Sequence, residues 1–300
     1  PAQFMEIKQQ EGSDPDRWGH SLQNAWPILK DCLDAVGAKS VVEVGAFAGD
    51  LTADILDWAV GAGATVTAID PTPAPELHEL AAKRPELDVI GEPSLEGLKH
   101  VTMPDAFVID GDHNYYTVIE ELRTIAGRVE GDVLPLIILH DVSWPHARRD
   151  TYYAPERIPE EARQPMVEGG GLFPGVEGLV PGSLPYKWAA ATEGGPGNGV
   201  LTAIEDFVET DPGLNLAIIP VFFGVGVVWH DEAPWAAALQ EAVAPFDRHL
   251  TLLRMESNRV FQLARSQVLR TEIWKGEKRI AAQEALLKSL LESKAFEVAD

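Results

Sequence analysis

Short runs of Val, Ile and Leu that are apolar at consecutive positions, each followed by a helical pattern, constrain this chain more than any other feature. The runs are SVVEVGAF (40–47), ATVTAID (64–70), LDVIG (87–91), DAFVID (105–110) and LPLIILHD (134–141). A strand with one wet face alternates apolar and polar residues, whereas a strand covered on both faces reads as a continuous apolar run. Helices expected near 50–62, 74–84 and 114–128, with another at 20–36 leading in, supply the covers. The expectation is an α/β fold built on a doubly wound, mostly parallel sheet. LNLAIIPV (214–221) and GVGVVWH (224–230) follow one another closely enough to pair antiparallel at a sheet edge, giving seven strands with an antiparallel edge strand.

Residues 142–200 break this rhythm with 10 Gly and 8 Pro in 59 positions, and with Trp144, Tyr152, Tyr153, Phe173, Tyr186 and Trp188 scattered among them. A long irregular stretch inside a compact domain is a functional lid or a linker, and the aromatics favour the lid, with part of 166–198 open to disorder. From about Ala233 the chain turns helical. Phe246, Leu250, Leu253, Val260 and Ala264 recur at roughly heptad spacing, and Gly276 is expected to divide two helices. The organisation is a helical lead-in (1–37), a catalytic domain (38–232) carrying the lid insertion (142–200), and a helical extension (233–300) expected to pack on its own domain or, by preference, to join a second copy of the chain.

The formal charge of −23 is unevenly placed: residues 248–300 hold 10 Lys and Arg against 7 Asp and Glu, leaving 14 against 40 in residues 1–247. Phosphate backbones need basic grooves, so neither nucleic acid nor an anionic membrane surface is an expected partner. No apolar run approaches the ~20 residues that span a bilayer, and the single cysteine, Cys32, forms no internal disulfide. These features suit a reducing, cytoplasmic setting and a neutral small-molecule partner.

The first strand ends in Glu43-Val44-Gly45-Ala46-Phe47-Ala48-Gly49, and a helix begins directly afterwards. Glycines there allow a tight turn and let a ligand approach the backbone at a helix N-terminus. The spacing E-x-G-x-x-x-G is shorter than the dinucleotide pattern and suits a nucleoside without phosphates. Strand two ends in Asp70, where a carboxylate can accept from ribose hydroxyls. Ile90-Gly91-Glu92-Pro93-Ser94 follows strand three at the level of a base. Together these turns resemble the Rossmann-like class I S-adenosylmethionine-dependent methyltransferases over about residues 38–230. The resemblance implies Glu43, Gly45, Ala46 and Gly49 around the methionine part, Asp70 on the ribose, Glu92 or Ser94 near the adenine, and Asp110 beside the cofactor.

Strand four ends in Ile109-Asp110-Gly111-Asp112-His113-Asn114-Tyr115 and strand five in Leu139-His140-Asp141. Ligands of open parallel sheets sit beyond the carboxyl ends of the strands, so Asp110 and Asp141 should converge. Two close carboxylates repel unless a cation lies between them, and oxygen ligands favour Mg²⁺, then Mn²⁺ or Ca²⁺. Asp112 is the expected cap of the helix at 114–128. IDGDHNYY with LHD is similar to the methyltransferase-domain-24 type of bacterial small-molecule O-methyltransferase. That resemblance implies Asp110 and Asp141 as metal ligands and His113 as general base. The segment is more distantly similar to metal-dependent catechol and macrolide-sugar O-methyltransferases, which carry a second Asp or an Asn after the strand-five aspartate where this chain has Val142. His140, a lid carboxylate or water is therefore left to complete the shell, or the metal binds only with substrate. The expected reaction is divalent-metal-assisted methylation of a small-molecule hydroxyl, on a sugar, a glycosylated natural product or a polysaccharide intermediate. A metal-independent methyltransferase for a phenol or carboxylate, and a non-catalytic cofactor-binding scaffold, stay open as alternatives.

Overall fold

The computed structural model describes residues 19–131 and 133–292. A 3-10 turn (Leu22–Ala25) leads into α1 (Trp26–Val36), β1 (Ser40–Val44), α2 (Asp50–Ala62), β2 (Thr65–Ile69), α3 (Pro75–Lys83) and β3 (Leu87–Ile90). The single turn α4 (Ser94–Gly97), β4 (Ala106–Ile109), α5 (Tyr115–Ala126) and β5 (Leu136–His140) follow. Then come β6 (Thr151–Tyr152), β7 (Met166–Leu172), β8 (Leu184–Ala190), α6 (Val200–Val208), β9 (Leu214–Ile219), β10 (Val225–His230), α7 (Ala236–Val243) and α8 (Leu250–Glu292).

The main sheet has seven strands in the order β3-β2-β1-β4-β5-β10-β9. β1 to β5 are parallel, and β10 runs antiparallel to both β5 and β9, so the reversed strand enters one place in from the edge. This is a Rossmann-like, doubly wound α/β sheet. Why the strands read as continuous apolar runs is visible residue by residue. Along β5, Leu136 and Ile138 join the core under α1, α2 and α7, while Ile137 and Leu139 join the core under α5 and α6. β4 alternates in the same way, and all nine residues of the two strands are buried. The order of the strands puts the ends of β1, β4 and β5 side by side, which is what positions the site.

Residues 151–190 are not structureless: β6, β8 and β7 form a second, three-stranded antiparallel sheet. The glycine-rich sequence of β7, MVEGGGL, hides its strand character because it supplies almost no alternation. Gly171 lies where an added Cβ would meet the backbone of Val180 and Ser183, so the glycines there serve close strand packing. Gly276 does not divide the tail. α8 runs unbroken for 43 residues, and an added Cβ at Gly276 would meet nothing. A lone glycine costs a helix about 1 kcal/mol, too little to break one of this length. Val260 and Ala264 face the body and are buried, whereas Leu250 and Leu253 of the expected stripe face outward. Among the described residues no helix is long and apolar enough to cross a membrane.

Candidate active site

The turn after β1 is shaped by close approach to the end of β4. Gly45 has φ +90°, and an added Cβ would lie 2.1 Å from the Asp110 carbonyl oxygen. No other residue type fits there. Gly49, at φ +85°, starts α2. Asp70 holds the same turn: one carboxylate oxygen accepts from the Phe47 N–H at 2.8 Å and the other from the Thr72 N–H at 2.7 Å. A cavity of about 150 Å³ opens beside this turn, lined by Glu43, Gly45, Ala46, Phe47 and Asp110, with Ser21 and Leu22 of the lead-in segment laid over it. Glu43 is buried and accepts from the Thr52 hydroxyl at 2.6 Å. Burial, opposed by that hydrogen bond, pushes its carboxyl up to about 7.

The structure brings Glu43, Gly45, Ala46 and Asp110 to this cavity. Asp70 sits behind the loop as its brace, and Glu92 and Ser94 lie outside the lining. Glu92 faces His100 at 3.6 Å. Ser94 begins α4, next to a group that no sequence pattern marks: Glu121 of α5, whose side chain is fully enclosed with neither oxygen hydrogen-bonded. Burial pushes this carboxyl up to about 8, with the nearby Ser94 hydroxyl acting in the opposite sense. In sequence it sits in IEELR, a pattern that looks solvent-facing. The helix cap expected of Asp112 is made by Asn114 instead, whose side chain accepts from the Thr117 N–H at 2.9 Å, while Asp112 accepts from the Thr117 hydroxyl at 3.2 Å. Asn114 holds the extended backbone that an N-cap requires, immediately before the first helical residue.

On the other side of Asp110, the ends of β4 and β5 form a dense cluster of acids and imidazoles. His140 Nδ1 lies 2.9 Å from Asp110 Oδ1 and 3.6 Å from Asp141 Oδ2. His113 Nε2 lies 2.9 Å from Asp141 Oδ2 and 3.8 Å from Asp110 Oδ1. Asp141 is held at φ +62°, a left-handed conformation unusual for a residue other than glycine. The expected convergence of Asp110 and Asp141 is present, together with His140 and His113. A further residue joins them. His146, from the loop after β5, is buried with its ring 4.4 Å from that of His113, its Nδ1 3.1 Å from the Thr151 hydroxyl and its Nε2 3.3 Å from the Tyr186 hydroxyl. Tyr153 packs edge-on against His113 and is largely exposed at the mouth.

The cluster's charges follow from its geometry. Burial disfavours the charged form of every member, but opposite charges decide the outcome for four of them. His140 rises to about 9 because Asp110 and Asp141 outweigh its burial. His113 is likewise raised well above the usual histidine value, against its burial, by Tyr153 and by the carboxylates of Asp141 and Asp110. Both aspartates are held below the usual carboxylate range, Asp141 by His140, His113 and His146. His146 goes the other way: burial pushes it down to about 3, so it is neutral. Asp110, His140 and Asp141 form one group of ligand atoms lying within 4.8 Å of one another, and His113, Asp141 and His146 form a second. Both groups could hold a divalent ion, and neither is the all-oxygen shell expected for Mg²⁺.

No protein-family model and no curated protein matches the chain. Solved structures align with the chain at low identity. An S-adenosylhomocysteine-bound methyltransferase from Podospora anserina is 17% identical over 73% of this chain and 83% of its own, with a TM-score of 0.44. A Staphylococcus aureus protein assigned as a caffeoyl-CoA O-methyltransferase is 12% identical over 69% of this chain and 83% of its own, at 0.42. Human N-acetylserotonin methyltransferase, solved with S-adenosylmethionine, is 11% identical over 72% of this chain and 55% of its own, at 0.39. These likenesses are distant, and the functional reading rests on this chain's own residues.

Proposed function

We propose that this chain is an S-adenosylmethionine-dependent O-methyltransferase that methylates a hydroxyl of a small molecule with the help of a divalent cation. The observation that carries the reading is the position of Asp110. It lines the cavity beside the glycine turn and also belongs to the imidazole–carboxylate cluster, where the gap between Asp110, His113 and His140 measures only about 10 Å³, so an acceptor would reach a donor in the cavity from the mouth beside Tyr153. Methyl transfer needs little more than that arrangement. The acceptor oxygen attacks the methyl carbon in line, the carbon–sulfur bond breaks with its electron pair going to sulfur, and the hydroxyl proton leaves to a base. The thioether product is neutral.

A divalent cation bound at Asp110 and Asp141 would lower the acceptor hydroxyl's pKa and offset the two carboxylate charges. Of this chain's residues, Glu43 and the Gly45–Gly49 turn bind the donor and Asp70 keeps that turn in shape. His113 is the proposed base. A base must be neutral, so His113 takes up a proton only when the charge on Asp141 that now holds it protonated is offset. Tyr153 presents its ring and hydroxyl at the mouth, which suits a sugar or another ring-bearing acceptor, while the Tyr186 hydroxyl is turned to His146.

Calorimetry with S-adenosylmethionine tests the donor side: micromolar binding is expected, weakened at least tenfold in Asp70→Ala. No heat with wild type removes the proposal. On the acceptor side, Asp110→Ala and Asp141→Ala should lose turnover on an accepted substrate while still binding the donor. One observation favours a second reading, a metal-independent methyltransferase: His140 and His113 already neutralise both carboxylates without a cation. Activity untouched by EDTA would select it.

A further inference from the structure

We propose that the pocket at the ends of β4 and β5 is a mixed imidazole–carboxylate centre that takes a divalent transition ion of the Zn²⁺ or Co²⁺ kind in preference to Mg²⁺. The inference concerns the same pocket as the proposed function but does not need methyl transfer to occur. It rests on donor chemistry. Two groups of ligand atoms overlap there at Asp141, Asp110–His140–Asp141 and His113–Asp141–His146, and each offers imidazole nitrogen, the first without drawing on His113, the proposed base. Mg²⁺ requires oxygen donors in near-ideal octahedral geometry and keeps several of its waters, whereas imidazole suits Zn²⁺, Co²⁺, Ni²⁺ and Fe²⁺.

The orientation of His140 is that of a ligand. Its Nε2–H donates to the Phe222 carbonyl at 2.6 Å, which leaves Nδ1 facing Asp110 and Asp141. A metal-bound histidine characteristically gives its other N–H to a carbonyl or carboxylate, which fixes the ring. Here the carbonyl is itself fixed. Phe222 and Phe223 hold left-handed conformations, with φ +47° and +68°, and the Phe223 N–H donates to Glu256 of α8 at 2.7 Å. Arg259 pairs with Glu256 at 2.6 Å and lies over both phenyl rings. A strained turn secured from a separate helix for one histidine is more than a chance ion pair requires.

His146 has comparable support. The Thr151 hydroxyl contacts its Nδ1 and the Tyr186 hydroxyl its Nε2, which fix the ring, and one of its nitrogens lies within 4.8 Å of ligand atoms of His113 and Asp141. Asp141 belongs to both groups and would be the common ligand, approached by imidazoles from two sides. The separations within each group are of the size that bonds of about 2.0–2.2 Å to one ion can draw together. His140, Asp141 and His146 are all buried, and buried ionisable groups at this density are either paired with one another or hold an ion.

Metal-stripped full-length protein titrated with Co²⁺ separates these two outcomes. A visible d–d band of four- or five-coordinate Co²⁺, with binding at micromolar concentration or tighter, is expected. Stoichiometric Zn²⁺ should bleach the band and a hundredfold excess of Mg²⁺ should not. His140→Ala and His146→Ala should each weaken Co²⁺ binding by tenfold or more. If His140→Ala fails to fold, His140→Gln keeps a donor for the Phe222 carbonyl and replaces it. Absence of Co²⁺ binding, displacement of Co²⁺ by equimolar Mg²⁺, or wild-type affinity in both histidine variants each overturns the proposal. S-adenosylmethionine calorimetry on the same metal-stripped sample keeps the two claims apart. A protein that binds the donor but not Co²⁺ sinks this inference alone, and one that binds Co²⁺ but not the donor sinks the methyltransferase reading alone.

Discussion

Replacing Glu121 with Gln should make the protein more stable, and increasingly so as the pH rises. The wild-type carboxyl is enclosed, has no hydrogen-bond partner and is pushed from its ordinary 4.5 to about 8. A group whose folded pKa lies above its unfolded value stabilises the fold below the unfolded pKa and loses that contribution as pH climbs through the folded one. The window here runs from about pH 4.5 to about pH 8. At about 1.4 kcal/mol for each tenfold change in proton affinity, ionised Glu121 costs the fold on the order of 5 kcal/mol relative to the unfolded chain. Between pH 5.5 and pH 9 the cost should grow by about 3 kcal/mol. Glu121→Gln removes the titration while keeping the shape. Urea unfolding of both proteins at pH 5.5, 7 and 9 reads the difference, which should widen by that amount in favour of the variant. Parallel stability curves for the two proteins would refute the reasoning, because they would show Glu121 ionising in the fold as easily as in the unfolded chain.

Two further outcomes follow from features already described. Gly45→Ala should cost more than about 2 kcal/mol and abolish donor binding, since the new methyl group collides with the Asp110 carbonyl and the backbone is left-handed; thermal unfolding and calorimetry check it, and a wild-type melting temperature would be fatal to it. The outer part of α8 exposes Leu269, Ile273, Ile280 and Leu287, the last three at seven-residue spacing, so a second copy of the chain is the expected partner. Ile273→Asp with Leu287→Asp should halve the mass seen by light scattering at unchanged helix content, and an unaltered mass would dismiss the assembly.

The architecture was legible because each strand announces its two buried faces: β4 and β5 are apolar at almost every position. The convergence of Asp110 and Asp141 followed from strand ends alone. His146 did not, because its place depends on the path of the loop after β5, and no local pattern encodes a contact with His113. Glu121 was hidden by a helix face that reads as polar until the neighbouring Ser94 and Gly111 are seen to enclose it. The three-stranded sheet was obscured by the glycines of β7, and Gly276 looked like a break because local propensity is weak beside the continuity of a 43-residue helix. In the tail, the expected stripe is divided between two surroundings. Val260 and Ala264 dock on the body, and the unspent apolar surface lies further out.

Asp110 forms part of the wall of the cavity beside the glycine turn and also belongs to the imidazole–carboxylate cluster. One carboxylate cannot answer two occupants independently: a cation or proton taken up on the imidazole side changes the field on the side of the glycine turn. Thermodynamic reciprocity then requires an occupant of the cavity to change cation or proton affinity by the same factor. Communication between the two ligands is thus expected with no domain closure and no moving helix, and the order in which they are best loaded would be written into a single side chain.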